Sequence, residues 1–135
     1  MPLVNWTDKL SLGITEIDNQ HKKWIAIIND LNDAMRAGKS KEVLGEVFKR
    51  LIDYTEYHFK AEETYFEKFG YPEKTSHKME HQKMVNEVNG YYNDFKAGKM
   101  TVSINLMQLL SNWLLDHIQK KDKNYAPFLI EKGIK

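Results

Sequence analysis

Apolar residues recur at alternating three- and four-residue steps along four long stretches of the chain, which is the spacing of amphipathic helices. The pattern predicts helices over about 18–37, 40–69, 73–97 and 101–121, and glycine-containing breaks follow the first three. Short connections between helices of this length favour an antiparallel up-down-up-down four-helix bundle. The predicted fold class is therefore all-α, and nothing in the pattern favours strands.

The helical stripes also predict which side chains face the core, and a serine marks the predicted N-terminus of one helix. Ser40 precedes the second stripe and is predicted to cap it. The inward apolar positions predicted for the second helix are Leu44, Val47, Leu51, Tyr65 and Phe69. Those predicted for the fourth helix are Ile104, Met107, Leu110 and Leu114.

The two ends of the chain lack the long helical period. We expect residues 1–17 to form an arm packed on the outside of the bundle. A short C-terminal helix is expected around 124–131, with Pro127 in its first turn. The expected organisation is one domain over 1–135, with the arm, a bundle over about 18–121 and a tail over about 122–135.

Composition excludes several classes of protein. The chain has twenty basic and nineteen acidic residues and a net charge of +1. It therefore lacks the excess of positive charge that binding to nucleic acid requires. No apolar run reaches the ~18 residues of a membrane span, and the first residues do not resemble a signal peptide. We therefore expect a cytoplasmic protein without membrane insertion, and a monomer, because no stripe of exposed apolar residues is predicted. The absence of cysteine excludes disulfides and thiolate sites, so any metal needs nitrogen and oxygen ligands.

The five histidines all fall on inward stripes rather than on the solvated helix faces. A single histidine on an apolar face is usually a hydrogen-bonded core residue, but five on four helices are harder to explain in that way. In an antiparallel bundle their positions share one end, within a slab of roughly 10 Å. These residues are His21, His58, His77, His81 and His117.

Two acidic residues complete a candidate metal cluster. Glu62 follows His58 by four residues and lies on the same helix face. Asp122 follows His117 by five, about 140° around a regular helix, so it reaches the cluster only if the helix changes pitch or ends at 119–122. Imidazole and carboxylate donors in this number suit two ions, and they favour iron, zinc or copper-type ions over magnesium or calcium.

The order of these spacings resembles hemerythrin. A single histidine precedes H-x-x-x-E, H-x-x-x-H and H-x-x-x-x-D, and the runs IDNQH and HFKAEE and the Tyr71-Pro72 turn resemble its bacterial single-domain members, the bacteriohemerythrins. The resemblance spans nearly the whole chain and implies a non-haem di-iron centre bridged by Glu62, Asp122 and a solvent-derived oxo or hydroxo group. It also implies that one iron takes His77, His81 and His117, and that the other takes His21 and His58 and keeps an open position for O₂.

The resemblance further implies an oxygen pocket formed by Phe59, Trp113, Leu114 and Ile118. Helical spacing independently places Leu114 and Ile118 beside His117, but ordinary core packing would account equally well for Phe59, Trp113 and Leu114. The implied function is reversible O₂ binding, for storage, transport or delivery to an oxygen-consuming enzyme, rather than catalysis. Two alternatives stay open: an oxygen or redox sensor, for which no output domain is expected after Lys121, and a di-iron enzyme acting on peroxide, nitric oxide or ferrous iron.

Overall fold

Long helices make up most of residues 3–135, the part of the chain that the computed structural model describes, and no strand occurs among them. The helices are α1 (Thr15–Arg36), α2 (Lys41–Phe69), α3 (Lys74–Lys96), α4 (Ile104–Asp116) and α5 (Lys123–Glu131). α1 packs against α2 and α4, and α2 packs against α3, in a four-helix bundle. The predicted all-α bundle is confirmed. None of the described helices is both long and apolar enough to cross a membrane.

Local signals set the ends of the helices. The Ser40 hydroxyl accepts a hydrogen bond from the Val43 N–H at 3.3 Å, and the Ser103 hydroxyl accepts one from the Leu106 N–H at 3.2 Å. These bonds satisfy amide groups that have no partner within the first turns of α2 and α4. Gly70 ends α2 with φ 67°, a left-handed conformation that glycine adopts without a steric penalty. The cap predicted at Ser40 is confirmed.

The core of α2 is wider than the predicted stripe. Its buried apolar side chains include Phe48, Ile52, Phe59 and Phe66, whereas the predicted Leu44, Val47, Tyr65 and Phe69 are only partly buried. A single stripe is too narrow for this helix because α2 packs against both α1 and α3.

The inward position predicted for Ile104 is wrong, because this residue is 58% exposed. Ile104 is the first residue of α4 and lies at the end of the bundle. The core at that end is closed instead by Val102 and Leu106, which are 6% and 4% exposed.

The N-terminal segment contributes to the core rather than lying only outside it. Val4 and Leu10 belong to the main apolar cluster, and Leu12 belongs to a second cluster beneath the C-terminal helix. Asp18, in the first turn of α1, accepts hydrogen bonds from the Ser11 hydroxyl at 2.5 Å and the Leu12 N–H at 2.8 Å. These bonds hold the arm against the bundle.

A π turn over His117–Asp122 joins α4 directly to α5. The change of pitch predicted for this region is confirmed, and the expected short C-terminal helix is present as α5 (Lys123–Glu131). The predicted helix end near Lys121 is wrong, because the helical path continues through the π turn into α5. Pro127 accordingly lies in the interior of α5 rather than in the first turn of a separate helix. Because π-type hydrogen bonds join residues five apart, the turn brings His117 and Asp122 onto one face.

Candidate metal centre

Side chains of the type that bind metals converge inside one end of the bundle. They come from α1, α2, α3 and the π turn, and all are buried, the most exposed being 6% accessible. The structure brings together all seven residues that the sequence singled out: His21, His58, Glu62, His77, His81, His117 and Asp122.

Asp122 contacts imidazoles on both of its carboxylate oxygens. Oδ2 lies 2.9 Å from Nε2 of His21 on α1. Oδ1 lies 3.3 Å from Nε2 of His77 and 3.1 Å from Nε2 of His117. One oxygen of the carboxylate therefore contacts one ring and the other oxygen contacts two.

Glu62 presents a single oxygen to the cluster. Oε1 lies 3.1 Å from Nε2 of His81 and 3.6 Å from Nε2 of His58. The other oxygen, Oε2, accepts a hydrogen bond from the hydroxyl of Tyr125, which is completely buried. Tyr125 thus fixes the orientation of Glu62.

The ligand-type atoms form two groups that share both carboxylates, and within each group all of them lie within 4.8 Å of one another. We refer to these as the three-imidazole group and the two-imidazole group. The first contains Glu62 and Asp122 with His77, His81 and His117, and the second contains Glu62 and Asp122 with His21 and His58.

The chemistry of the cluster fits a pair of cations. Seven of its buried atoms lack a hydrogen-bond partner: Nδ1 of His21, Oε1 of Glu62, both oxygens of Asp122, and Nε2 of His77, His81 and His117. A buried polar atom without a partner costs about 1–3 kcal/mol. Two carboxylates and five imidazoles are the nitrogen and oxygen donors that divalent transition metals accept, so bound ions would satisfy the carboxylate oxygens and the Nε2 atoms.

Hydrogen bonds behind two of the rings orient them. Nδ1 of His58 pairs with Oε1 of Gln20 at 2.7 Å, and Nδ1 of His81 pairs with Oε2 of Glu63 at 2.9 Å. An accepting oxygen at Nδ1 places the ring hydrogen there and leaves Nε2 free for a metal. Sequence spacing assigns neither partner, because Gln20 reaches across from α1 to a ring on α2.

Burial and neighbouring charges separate the pKa values of the cluster. Burial, opposed only in part by Glu62, lowers the pKa of His58 to about 3. Burial also acts to lower the pKa of His81, but the contacts with Glu62 and Glu63 outweigh it and raise this pKa to about 9. For Asp122, burial alone would raise the pKa, yet the surrounding imidazoles hold it well below its usual range. The shared carboxylate therefore keeps its negative charge.

The four predicted pocket residues, Phe59, Trp113, Leu114 and Ile118, all lie beside these rings or next to them in the chain. Phe59 stacks on His81, with ring centroids 3.8 Å apart and planes inclined by 5°. The partly buried Trp113 ring lies 6.4 Å from the His117 ring. The other two are fully buried, one turn before and one residue after His117.

Trp24 connects these aromatic residues to the two-imidazole group. Its ring is fully buried, with its centroid 5.1 Å from that of His58, 5.6 Å from that of Phe59 and 6.0 Å from that of Trp113. The indole N–H donates to the Thr55 hydroxyl at 3.0 Å. The helical stripe identifies Trp24 only as a core residue, because its contact with a histidine on α2 depends on helix packing.

Comparisons of the sequence and of the structure with known proteins find similar proteins of the same kind, and the similarity extends over most of the chain. The family model of the hemerythrin HHE cation binding domain matches residues 12–129. The chain is 42% identical over 121 residues to a bacteriohemerythrin of Pseudomonas aeruginosa, covering 90% of this chain and 78% of that protein. It is 36% identical over 130 residues to a bacteriohemerythrin of Methylococcus capsulatus, covering 96% and 98%. A crystal structure of wild-type hemerythrin superposes with a TM-score of 0.88 at 35% identity, covering 93% of this chain and 96% of that one.

Proposed function

Because the chain belongs to the hemerythrin family, we propose that its two groups of ligands bind one iron ion each and that the protein binds O₂ reversibly. The oxygen would be stored, or delivered to an oxygen-consuming enzyme. The observation that carries the proposal is the convergence of five imidazole Nε2 atoms on two shared carboxylates. When bound, a pair of iron ions supplies reversible two-electron chemistry toward O₂.

The unequal number of imidazoles supports an assignment of roles to the two groups. His77, His81 and His117 would hold one iron, and His21 and His58 would hold the other. Glu62 and Asp122 would bridge the ions, together with a solvent-derived oxo or hydroxo group. An ion with one imidazole fewer would keep one position free, so we place the binding of O₂ on the side of His21 and His58.

The apolar side chains around the cluster have a role in reversibility. Phe59, Leu114 and Ile118 are buried, and Trp24 covers the His58 ring. These groups exclude water and keep the local dielectric constant low. In such surroundings the loss of neutral O₂ would leave the net charge of the buried cluster unchanged, whereas the loss of a charged, reduced product would change it, which a low dielectric constant penalises. A dry pocket therefore favours a carrier over an enzyme.

Other residues of the chain would keep the ligands in place. Gln20 and Glu63 hold the ring hydrogens of His58 and His81 at Nδ1, so that each Nε2 points into the cluster. Tyr125 donates to Glu62 and fixes the direction of its free oxygen. We also propose that the full chain acts as one domain, and the monomeric state and cytoplasmic location stay predictions.

The decisive experiment is a cycle of O₂ addition and removal on the iron-loaded protein. The metal-free chain is loaded with Fe²⁺ under argon, and elemental analysis is expected to find two iron ions per chain. The visible spectrum is then recorded through several cycles of O₂ and argon. A band that appears and disappears repeatedly supports a carrier. Consumption of O₂ in one irreversible turnover would contradict the proposal and favour an enzyme.

A further inference from the structure

Two tyrosines lead from the buried cluster toward the surface, and each hydroxyl donates a hydrogen bond to a carboxylate. Tyr125 is fully buried and donates to Oε2 of Glu62. Tyr71, at the turn after α2, is 5% exposed and donates to Oε2 of Glu73 at 3.0 Å. The two ring centroids are 6.4 Å apart. Glu73 is exposed, so the second pair ends at solvent.

Phe66 holds these rings in a fixed and dry arrangement. It is fully buried, and its centroid lies 5.1 Å from that of Tyr125 and 5.0 Å from that of Tyr71. Its ring also lies 4.9 Å from that of His77. Aromatic packing is therefore continuous from His77, a predicted ligand, to Tyr71, the buried tyrosine whose hydrogen-bond partner Glu73 is exposed.

We propose that Tyr125 and Tyr71 form an electron path that carries oxidising equivalents away from the metal centre when a hydroperoxide oxidises it. The inference rests on the proposed iron centre. It adds an activity to oxygen binding: the reduction of a hydroperoxide by a one-electron donor at the surface. The path would protect the imidazoles, because a phenol is oxidised more readily than an imidazole.

Each step moves one electron and one proton along contacts that are present in the structure. Tyr125 gives one electron to the oxidised centre, and its hydroxyl proton moves to Glu62, which leaves a neutral phenoxyl radical. Tyr71 then gives one electron to the Tyr125 radical, Glu62 returns the proton to Tyr125, and the Tyr71 proton moves to Glu73. A surface donor such as ascorbate restores Tyr71, which recovers its proton from Glu73. Two such passages replace the two electrons that hydrogen peroxide takes up when its O–O bond breaks. Two protons taken from solvent complete two water molecules, and each oxidised donor releases one proton to solvent, so that atoms and charge balance.

A second aromatic pair offers a poorer route. Trp24 lies near His58 and contacts Trp113 at the bundle surface. However, the Trp24 N–H donates to the hydroxyl of Thr55, which itself donates to a backbone carbonyl. A hydroxyl is a much weaker proton acceptor than a carboxylate, so oxidation of Trp24 lacks the proton transfer that Tyr125 has available.

The test uses the full chain loaded with iron and treated with hydrogen peroxide. Freeze-quenched samples are examined by electron paramagnetic resonance, and oxidised histidines are counted by mass spectrometry. In the wild type we expect a tyrosyl radical that ascorbate removes quickly. In Tyr71→Phe the radical should remain at Tyr125, decay severalfold more slowly with ascorbate, and be accompanied by more oxidised histidine. In Tyr125→Phe the early tyrosyl radical should be lost.

A matched control is Tyr65→Phe. The Tyr65 hydroxyl also donates to a carboxylate, that of Glu16, but its ring stacks on Phe69 instead of joining the path. This variant should behave like the wild type. Circular dichroism checks that each variant is folded, which is expected because only a hydroxyl is removed.

The outcomes separate this inference from the proposed function. If O₂ cycles reversibly but Tyr71→Phe equals the wild type in radical decay and histidine oxidation, the path is wrong and the oxygen carrier stands. If Tyr71→Phe changes both while O₂ binding is irreversible, the path stands and the carrier proposal is wrong. A tryptophan radical in place of the tyrosyl radical would assign the route to Trp24 and Trp113 and overturn the inference. Failure to bind iron would overturn both.

Discussion

The three-imidazole and two-imidazole groups share their carboxylates, yet they are supported differently from behind. In the first, His81 pairs with Glu63, a carboxylate whose side chain is 27% exposed. In the second, His58 pairs with the neutral and buried amide of Gln20. The pKa values also diverge: burial lowers that of His58 to about 3, whereas the contacts with Glu62 and then Glu63 outweigh burial and raise that of His81 to about 9. Burial and the neighbouring carboxylates, Glu63 among them, thus give different basicities to chemically identical ligands within one cluster.

Asp122→Ala removes an anion that both groups share and should have the largest effect. Each group would lose a carboxylate oxygen, and five imidazoles would face a single anionic residue. We expect almost complete loss of bound iron, measured as metal per chain by elemental analysis. The control is Asp116→Ala, which removes an exposed carboxylate at the end of α4 that pairs with Lys120 in the π turn. Retention of two ions by Asp122→Ala would show that the groups do not depend on a shared carboxylate.

A single imidazole deletion should affect the two groups unequally. His58→Ala leaves the two-imidazole group with only His21, so we expect this group to lose its ion and the chain to retain one. His81→Ala leaves His77 and His117 in place, so this variant should retain both ions with weaker binding to the depleted group. Iron content after dialysis against a chelator distinguishes the two results. Equal losses in both variants would contradict the proposed division of ligands.

The histidines and the π turn could be predicted from sequence because both depend on spacing along a helix. Residues on one helical stripe share a face whatever their neighbours are, so His58 and Glu62 could be placed together. The five-residue spacing between His117 and Asp122 is incompatible with one face of a regular helix, so it predicts either a change of pitch or a helix end there.

The residues behind the ligands could not be predicted because they depend on how helices pack. Gln20 precedes His21 in the chain but accepts from His58 on another helix. Tyr125 reaches Glu62 only because the chain remains helical past the π turn, in α5. The predicted stripe of α2 is too narrow for the same reason, since a helix with two neighbours buries more than one line of side chains.

Metal uptake should release protons from the three-imidazole group. In the metal-free protein at pH 7.5, His81, with a pKa of about 9, carries protons on both ring nitrogens and is positively charged. His58, with a pKa of about 3, is neutral. A metal needs the neutral imidazole, so binding displaces the proton, and affinity should rise with pH, by up to about tenfold per unit for one displaced proton. Calorimetry in two buffers of different ionisation enthalpy measures the proton release. Affinity that is constant between pH 7 and 8.5 would contradict this prediction.

Replacement of an outer partner should weaken metal binding without removing any ligand. Glu63→Gln keeps the size of the side chain but removes the charge behind His81, so we expect binding to the three-imidazole group to weaken by about tenfold, the lower limit for such changes. Gln20→Leu removes the hydrogen-bond acceptor of the His58 ring N–H and should instead weaken metal binding to the two-imidazole group. Chelator competition measures both affinities, with the exposed Glu56→Gln on α2 as the control. If Glu63→Gln matched this control, the charged partner would not explain the difference between the two groups.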